Sequence, residues 1–415
     1  MKVQRCKGSR DLSPEEMAGF RLIEGAFRDC CLKWGYEEVR TPTLEYLHLF
    51  TSTGTLTPSM LGKVYSFLDW NGWSGERVVL RPDGTIPVAR LYIDSIEEGL
   101  AKLFYVANVF IFEPTGKETR ERWQCGAELI GAGSTVADVE LIILALEVLK
   151  RLKISGIELR LSHAGVIRAL LAKLGLSPGE QTRVFDQILD GDVDALARLK
   201  PGRPELGRAL SLLLDLKGKS SGFLKNSKAL LTQNLPELEP SLDDFINIVD
   251  LVEALGYCCR IDIASGRGFE YYTGMIFQLF MGKEKIGGGG RYDALIPLMG
   301  GKNVPASGFA LYLDPLMSLV KPELLVKPVG ERILIRAEPG QPEAVKGGFN
   351  IASRLHEAGY VAEVHLGGQE PANLRWTLDV QSKAPLFILT DQVNHKRFEV
   401  QTTAEVLTLL REKRR

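Results

Sequence analysis

Apolar residues near the start of the chain recur every three to four positions: Met17, Phe20, Ile23, Phe27 and Cys30 fall on one helical face. Ser13-Pro14-Glu15-Glu16 ahead of them has the form of a capping box with proline at the first helical position, and Gly35 is placed to end the helix. Beyond Gly35 the pattern changes to short β-rich runs, predicting strands at 37–40, 64–69, 77–80, 103–112 and 122–130. Asn71-Gly72, between the second and third of these, is a hairpin-turn signal. Strands in succession, joined by short turns with little helix between them, imply an antiparallel sheet.

Helical spacing returns over 135–152, and a further strand is expected at 157–162. Residues from about 164 to 256 are leucine-rich and helical in period, broken by Pro201, Pro204, Pro236 and Pro240, and read as a helical insertion. Strand signals resume at 259–264, 272–281 and 306–313, so chain on both sides of the insertion completes the sheet. The stretch from Lys321-Pro322-Glu323 to Lys327-Pro328-Val329-Gly330 reads as a linker. After it, strands at 332–336, 360–366 and 385–390 alternate with helical stretches at 343–357 and 371–383, the pattern of a small parallel βαβ domain. The expected fold class is therefore α+β: an antiparallel sheet flanked by helices over residues 1–320, interrupted by the insertion, and a small α/β domain over 331–415.

Composition narrows the function classes. With hydrophobic residues at 45% and charged residues at 25%, the chain is an ordinary globular protein that needs no staples to bury its core. Its formal net charge of -1 gives no global attraction to nucleic acid, and the basic tail Arg411–Arg415 reads as a solvated helix end. The six cysteines fit neither a disulfide ladder nor zinc spacing, which points to a reduced cytoplasm. The five scattered histidines form no metal-binding pair, so metal-dependent hydrolysis is set aside and neither metal nor cofactor is expected. The start, Met1-Lys2-Val3-Gln4-Arg5, lacks a signal-peptide apolar core, and no run approaches the roughly 18 to 20 apolar residues of a membrane span.

Two segments concentrate the candidate chemistry. Arg267-Gly268-Phe269-Glu270-Tyr271-Tyr272-Thr273-Gly274 is followed, after one apolar strand, by Gly287-Gly288-Gly289-Gly290-Arg291-Tyr292-Asp293. Each sets an Arg, a carboxylate and Tyr hydroxyls beside glycines, which let a backbone come close to a small zwitterion. Plainer readings exist: the four glycines as a turn between strands, Arg267 with Glu270 as a surface ion pair, and Tyr271-Tyr272 as sheet packing. Glu128, between Ala127 and Leu129 in an apolar strand, favours a ligand role, because a carboxylate buried without a partner costs several kcal/mol. Cys125 reads as core filler.

In this order and spacing the two segments resemble the histidine-binding segments of histidyl-tRNA synthetase. The resemblance extends to Lys7-Gly8-Ser9-Arg10-Asp11, to Gly35 through Pro42 (similar to the dimer-forming motif 1 of class II synthetases), to Arg81-Pro82-Asp83-Gly84-Thr85 and to Gln124-Cys125-Gly126-Ala127-Glu128. It implies a class II synthetase-like fold for residues 1–320 and a homodimer as building block. Carried over residue by residue, it implies that Asp83, Thr85 and Gln124 take the α-ammonium of histidine, that Arg267 meets the carboxylate, and that Glu128 and Tyr272 grip the imidazole, with Tyr271 and Tyr292 in the pocket wall. The family usually has Glu where Asp83 stands. The C-terminal domain resembles, more weakly, an anticodon-binding domain, but its basic residues are thinly spread among acids, which argues against a strong RNA site.

Two departures give this resemblance its direction. Class II enzymes set one Arg of motif 2 and one of motif 3 against the ATP phosphates, and those positions hold Ile111 and Pro315 here. Neither can fork onto phosphate oxygens. The loop Pro114-Thr115-Gly116-Lys117-Glu118 is one residue short and puts Glu118 where the family has another Arg, although Lys117, Arg120 and Arg122 are nearby cations. A chain that keeps the amino-acid pocket without the nucleotide grip is similar to the regulatory subunits of ATP phosphoribosyltransferase. That resemblance implies a non-catalytic subunit that activates a short-form catalytic partner in the first step of histidine biosynthesis and conveys feedback by L-histidine. The alternative is an active histidine:tRNA ligase.

Overall fold

The structure is a computed structural model that describes residues 4–6, 8–54, 56, 58–69, 75–96, 99–112, 120–173, 175–189, 217–233, 235–265, 271–321, 332–370 and 374–413. The chain divides into two compact units, Met1–Val320 and Lys321–Arg415.

The first unit opens with helix α1 (Pro14–Lys33). Its capping box is formed on both sides: Glu16 N–H donates to Ser13 Oγ at 3.2 Å, and Ser13 N–H donates to the Glu16 carboxylate at 2.7 Å. The helix ends at Trp34, and Gly35 takes the left-handed backbone (φ +77°) that glycine tolerates. Then follow β1 (Glu37–Glu38), β2 (Leu44–Tyr46), α2 (Leu47–Ser52), β3 (Ser66–Leu68), β4 (Arg77–Leu80), α3 (Thr85–Ser95), β5 (Ala101–Phe110), β6 (Glu121–Ile130), α4 (Thr135–Arg151) and β7 (Ile157–His163). Past the leucine-rich region come β9 (Arg260–Asp262), β10 (Met275–Met281), β11 (Glu284–Arg291) and β12 (Ala306–Tyr312), with a two-residue β8 (Lys217–Gly218) before them.

Nine of these strands form one sheet in the order β1-β5-β6-β12-β11-β10-β7-β9-β8. Its central pairs are antiparallel, as the short turns imply, but β1 runs parallel to β5 and β7 to β9. One face carries Phe104, Ala127 and Phe309 in register. Phe27 of α1 meets the edges of Phe104 and Phe309 there, at 5.9 and 6.3 Å, and α1 packs on α4. The other face carries Tyr105, Gly126, Glu128, Gly308 and Gly290. A second core of Val88, Tyr92, Leu103, Tyr292 and Ile296 lies on that side.

Several expectations need correction. The stretch between β4 and β5 holds helix α3, whose apolar Ile86, Val88, Ala89 and Tyr92 are buried, so the early strands are not joined by turns alone. β2, β4 and β3 form a separate three-stranded sheet, with a 3-10 turn over Pro58–Lys63 shortening the expected strand at 64–69. The four glycines are not a turn: Gly287–Gly290 lie within β11, paired to β10 on one side and β12 on the other. Asn71-Gly72 lies outside the described residues.

Within the insertion, the described residues form helices Ala164–Lys173, Pro178–Leu189, Ser221–Leu231 and Glu239–Ala254, the last packed on α4.

In the second unit, β13 (Arg332–Ala337), β14 (Val361–Val364), β15 (Trp376–Val380), β16 (Phe387–Asp391) and β17 (Lys396–Val400) form a sheet in the order β14-β13-β15-β16-β17. Helices Pro342–Glu357 and Thr403–Lys413 share its core with Trp376, Leu378 and Leu389. The helix expected over 371–383 is overturned: Trp376, Leu378 and Val380 alternate with Thr377 and Asp379, and this period of two places β15 in the centre of the sheet. Among the described strands of this sheet, the β13 pairings with β14 and β15 are parallel and the other pairings antiparallel. The expected linker at 322–330 lies outside the described residues.

The capping box makes a simple stability prediction. Ser13→Ala should lower stability by about 1 kcal/mol, read as a lower urea midpoint at unchanged m-value; an unshifted midpoint would show that the packed face of α1 alone sets its start.

Candidate functional site

Glu128 sits near the C-terminal end of β6, directly across from Leu103 of β5 and Gly308 of β12, and is 1% exposed. The sheet makes room for it by omission. A Cβ on Gly308 would lie 1.8 Å from Glu128 Oε2, so a side chain there would displace the carboxylate. Three hydroxyls converge on it: Thr85 donates to Oε1 at 2.8 Å, Tyr105 to Oε1 at 3.3 Å, and Tyr292 to Oε2. They come from α3, β5 and the end of β11, so tertiary structure assembles the site.

Burial pushes the Glu128 carboxyl up from the ordinary 4.5 to about 8, and the nearby Asp83 charge adds to the rise. The hydroxyls of Tyr292, Thr85 and Tyr105 oppose it by favouring the ionised form. Asp83 precedes α3 and is half-buried; its Oδ1 accepts the N–H of Ile86 at 3.0 Å. Burial raises its carboxyl too, against the N–H groups of Ile86, Thr85 and Gly84.

Tyr105 has a larger part than its place in an apolar strand suggests. Its ring fills the space over two glycines, since a Cβ on Gly126 or Gly84 would lie 2.2 or 2.4 Å from it. Sequence reasoning missed Tyr105 and Gly308; the available signal was a strand tyrosine whose cross-strand partner is glycine. Farther along the same face, Gly290 lies under the Tyr272 ring, where a Cβ would approach within 2.8 Å. Tyr271 packs at 5.1 Å from Tyr272 and 5.5 Å from Tyr292, and among the described residues its buried hydroxyl has no hydrogen-bond partner.

The structure therefore brings together Thr85, Glu128, Tyr271, Tyr272 and Tyr292, with Asp83 at the start of α3. Gln124 lies four residues before Glu128 on the same strand face, half-buried opposite Ala107 and Tyr312. Arg267 and Glu270 lie outside the described residues, as do Lys117 and Glu118. Arg291 and Asp293, next to Tyr292, turn away to bond with Asp138 and the chain around Ala132 and Ala306.

Where nucleotide chemistry would need cations, the described side chains are otherwise engaged. Ile111 follows β5, and Pro315 is the third residue of helix Leu313–Leu319. Neighbouring Asp314 pairs with Arg10 at 2.6 Å. The Arg120 guanidinium lies 4.8 Å over the Phe112 ring and donates to the Tyr65 hydroxyl at 3.2 Å. Among the described residues, no group of three His, Cys, Asp or Glu could hold a metal ion.

An antiparallel-centred sheet with helices on one face and this glycine-flanked carboxylate cluster on the other is the architecture of the class II aminoacyl-tRNA synthetase fold. Comparison with known proteins agrees. A solved Bacillus halodurans structure, described as an ATP phosphoribosyltransferase regulatory subunit/histidyl-tRNA synthetase, superposes with a TM-score of 0.75 at 23% identity, covering 90% of this chain and 95% of that one. Residues 8–316 match the histidyl-tRNA synthetase family. An ATP phosphoribosyltransferase regulatory subunit of Dehalococcoides mccartyi is 53% identical over 409 residues, 98% of either chain. A histidine–tRNA ligase of Methanosarcina acetivorans is 35% identical over 366 residues, 86% of this chain and 83% of that one. The chain belongs to the histidyl-tRNA synthetase family and, within it, to the ATP phosphoribosyltransferase regulatory subunits.

The buried carboxyl predicts a pH dependence. Between the ordinary 4.5 and about 8 the folded chain keeps a proton that the unfolded chain releases. The stability tied to this group is thus fully present below pH 4.5 and is lost as pH rises through 8. Glu128→Gln keeps the shape but cannot ionise, so between pH 5 and 8 it should gain on wild type, by up to about 1.4 kcal/mol per pH unit. Urea midpoints at the two pH values check this, and parallel pH profiles for the two proteins would mean that the carboxylate is ionised as folded.

Proposed function

We propose that this pocket binds free L-histidine and that the chain, as the regulatory subunit of ATP phosphoribosyltransferase, stimulates a short-form catalytic subunit and conveys histidine to it as feedback inhibitor. The observation that carries the reading is a buried carboxylate, Glu128, held by three hydroxyls in a chain whose Ile111 and Pro315 cannot grip a triphosphate. In its ionised form Glu128 offers four lone-pair directions and three are used by hydroxyls, leaving one for an imidazole N–H. The Tyr271 hydroxyl, buried with no hydrogen-bond partner among the described residues, and the Tyr272 ring complete the site in this reading. Thr85 spends its one proton on Glu128 and so turns its own lone pairs to an ammonium, alongside Asp83 and Gln124. Arg267 meets the ligand carboxylate in this reading.

Adenylation is lost in the same reading. Removing one transition-state donor typically lowers a rate by about 10² to 10³, and two are replaced here. Of the three nearby cations, Lys117, Arg120 and Arg122, Arg120 is held on Phe112 and Tyr65.

A homodimer is supported by exposed Leu44, Tyr46 and Phe67 on one face of the small sheet, an apolar patch suited to a second copy. The C-terminal unit serves subunit contacts rather than RNA in this account. Four of its arginines are matched by acids: Arg332 with Glu363, Arg336 with Glu370, Arg354 with Glu357 and Arg397 with Glu399. Among the described residues no helix is long and apolar enough to cross a membrane.

The test is the phosphoribosyltransferase rate of the short catalytic subunit from the same organism, with and without this chain, across a histidine titration. Stimulation that histidine reverses is the expected result, and no stimulation of a verified active partner contradicts it. Above pH 8, where Glu128 is ionised, Glu128→Gln should weaken histidine binding by at least about tenfold, since a hydrogen bond to a charged group contributes about 1.5–3 kcal/mol. Calorimetry reads this directly, and unchanged affinity would remove Glu128 from the site.

A further inference from the structure

Glu128 and Tyr292 come from strands that are not neighbours. Glu128 is near the end of β6, Tyr292 follows the last residue of β11, and β12 lies between them. Contact between that hydroxyl and that carboxylate requires the two strand ends to be held at a fixed separation. Arg291 stands at the junction.

Successive strand side chains point to opposite faces, so Tyr292 enters the pocket while Arg291 reaches toward α4. Its guanidinium, 7% exposed as a residue, donates to Asp138 Oδ2 at 3.1 Å and Oδ1 at 2.7 Å. It also donates to the carbonyls of Ala132 at 3.2 Å and Ser134 at 3.4 Å, and to Asp293 Oδ1 at 3.1 Å. Ala132 and Ser134 belong to the chain leaving β6, so one side chain ties the end of the Glu128 strand to the end of the Tyr292 strand. The Arg291 carbonyl accepts the N–H of Thr273 at 2.6 Å and its hydroxyl at 3.3 Å. Thr273 directly follows Tyr271 and Tyr272. Asp293 completes the junction by accepting the N–H of Ala306, at the start of β12, at 2.9 Å.

We propose that Arg291, oriented by Asp138, is a positioning residue for the amino-acid pocket: it sets the Tyr292 hydroxyl on Glu128 and the Tyr271-Tyr272 segment over the floor without touching the ligand. This rests on the histidine reading given above. A planar fork of N–H donors is needed, because a lysine supplies a point charge that cannot satisfy five separated acceptors in fixed directions. A purely structural ion pair would instead support the fold and leave the pocket hydroxyl where it is.

The test uses full-length protein with ¹³Cζ-labelled tyrosine, in which the Tyr292 signal is assigned by its loss in Tyr292→Phe. In the ligand-free protein, Asp138→Asn and Arg291→Lys should each move that signal. Each should also weaken histidine binding by about tenfold, and that loss should shrink to less than about twofold when Tyr292→Phe is already present, because the effects share one route. A folded variant with the Tyr292 signal unmoved overturns the proposal, as do losses that simply multiply with Tyr292→Phe. Failure of both variants to fold also overturns it in favour of a structural role. If wild type binds no histidine but the signal still moves, the positioning stands and the choice of ligand fails.

Discussion

A carboxyl group removed from water costs several kcal/mol unless its surroundings replace the lost hydration. Glu128 is in that position, and much of the site is arranged around it. Gly308 leaves the volume that its oxygens occupy, Thr85, Tyr105 and Tyr292 replace water on them, and Gly126 and Gly84 leave the volume that Tyr105 occupies. Even so its carboxyl is pushed up to about 8. A core selected for stability alone would place an apolar residue there. The retained acid is the feature from which the proposed ligand site is argued.

The sequence made the site legible where chemistry is local and left it obscure where distant strands meet. Glu128 stood out because a carboxylate in an apolar strand needs a partner, and Thr85, Tyr271, Tyr272 and Tyr292 lay in segments already rich in glycine and hydroxyls. Tyr105 escaped notice because it matches the apolar rhythm of β5, and its role depends on which glycine the register places opposite it. In the same way, Arg291 and Asp138 are more than 150 residues apart and meet only through the sheet order.

Among the elements, those with a strong period were placed well: α1, α4, β6 and β12 fall within a residue or two of their expected bounds. Errors came from ambiguous runs. Helix α3 was hidden behind Pro87 and a short apolar stretch, β11 behind four glycines that break strand propensity but are needed so that neighbouring backbones can approach. In the C-terminal unit, Trp376–Val380 alternates as a strand although its flanks suggested a helix.

The central claim is that an amino-acid pocket persists in a chain without the means to activate the amino acid. Calorimetric titration of the purified chain with L-histidine in the absence of ATP, run beside histidine-dependent ATP–pyrophosphate exchange on the same preparation, tests both halves. The account predicts saturable histidine binding with no exchange above background. Robust exchange would contradict it and make the chain a working ligase, and absence of binding would contradict the pocket itself.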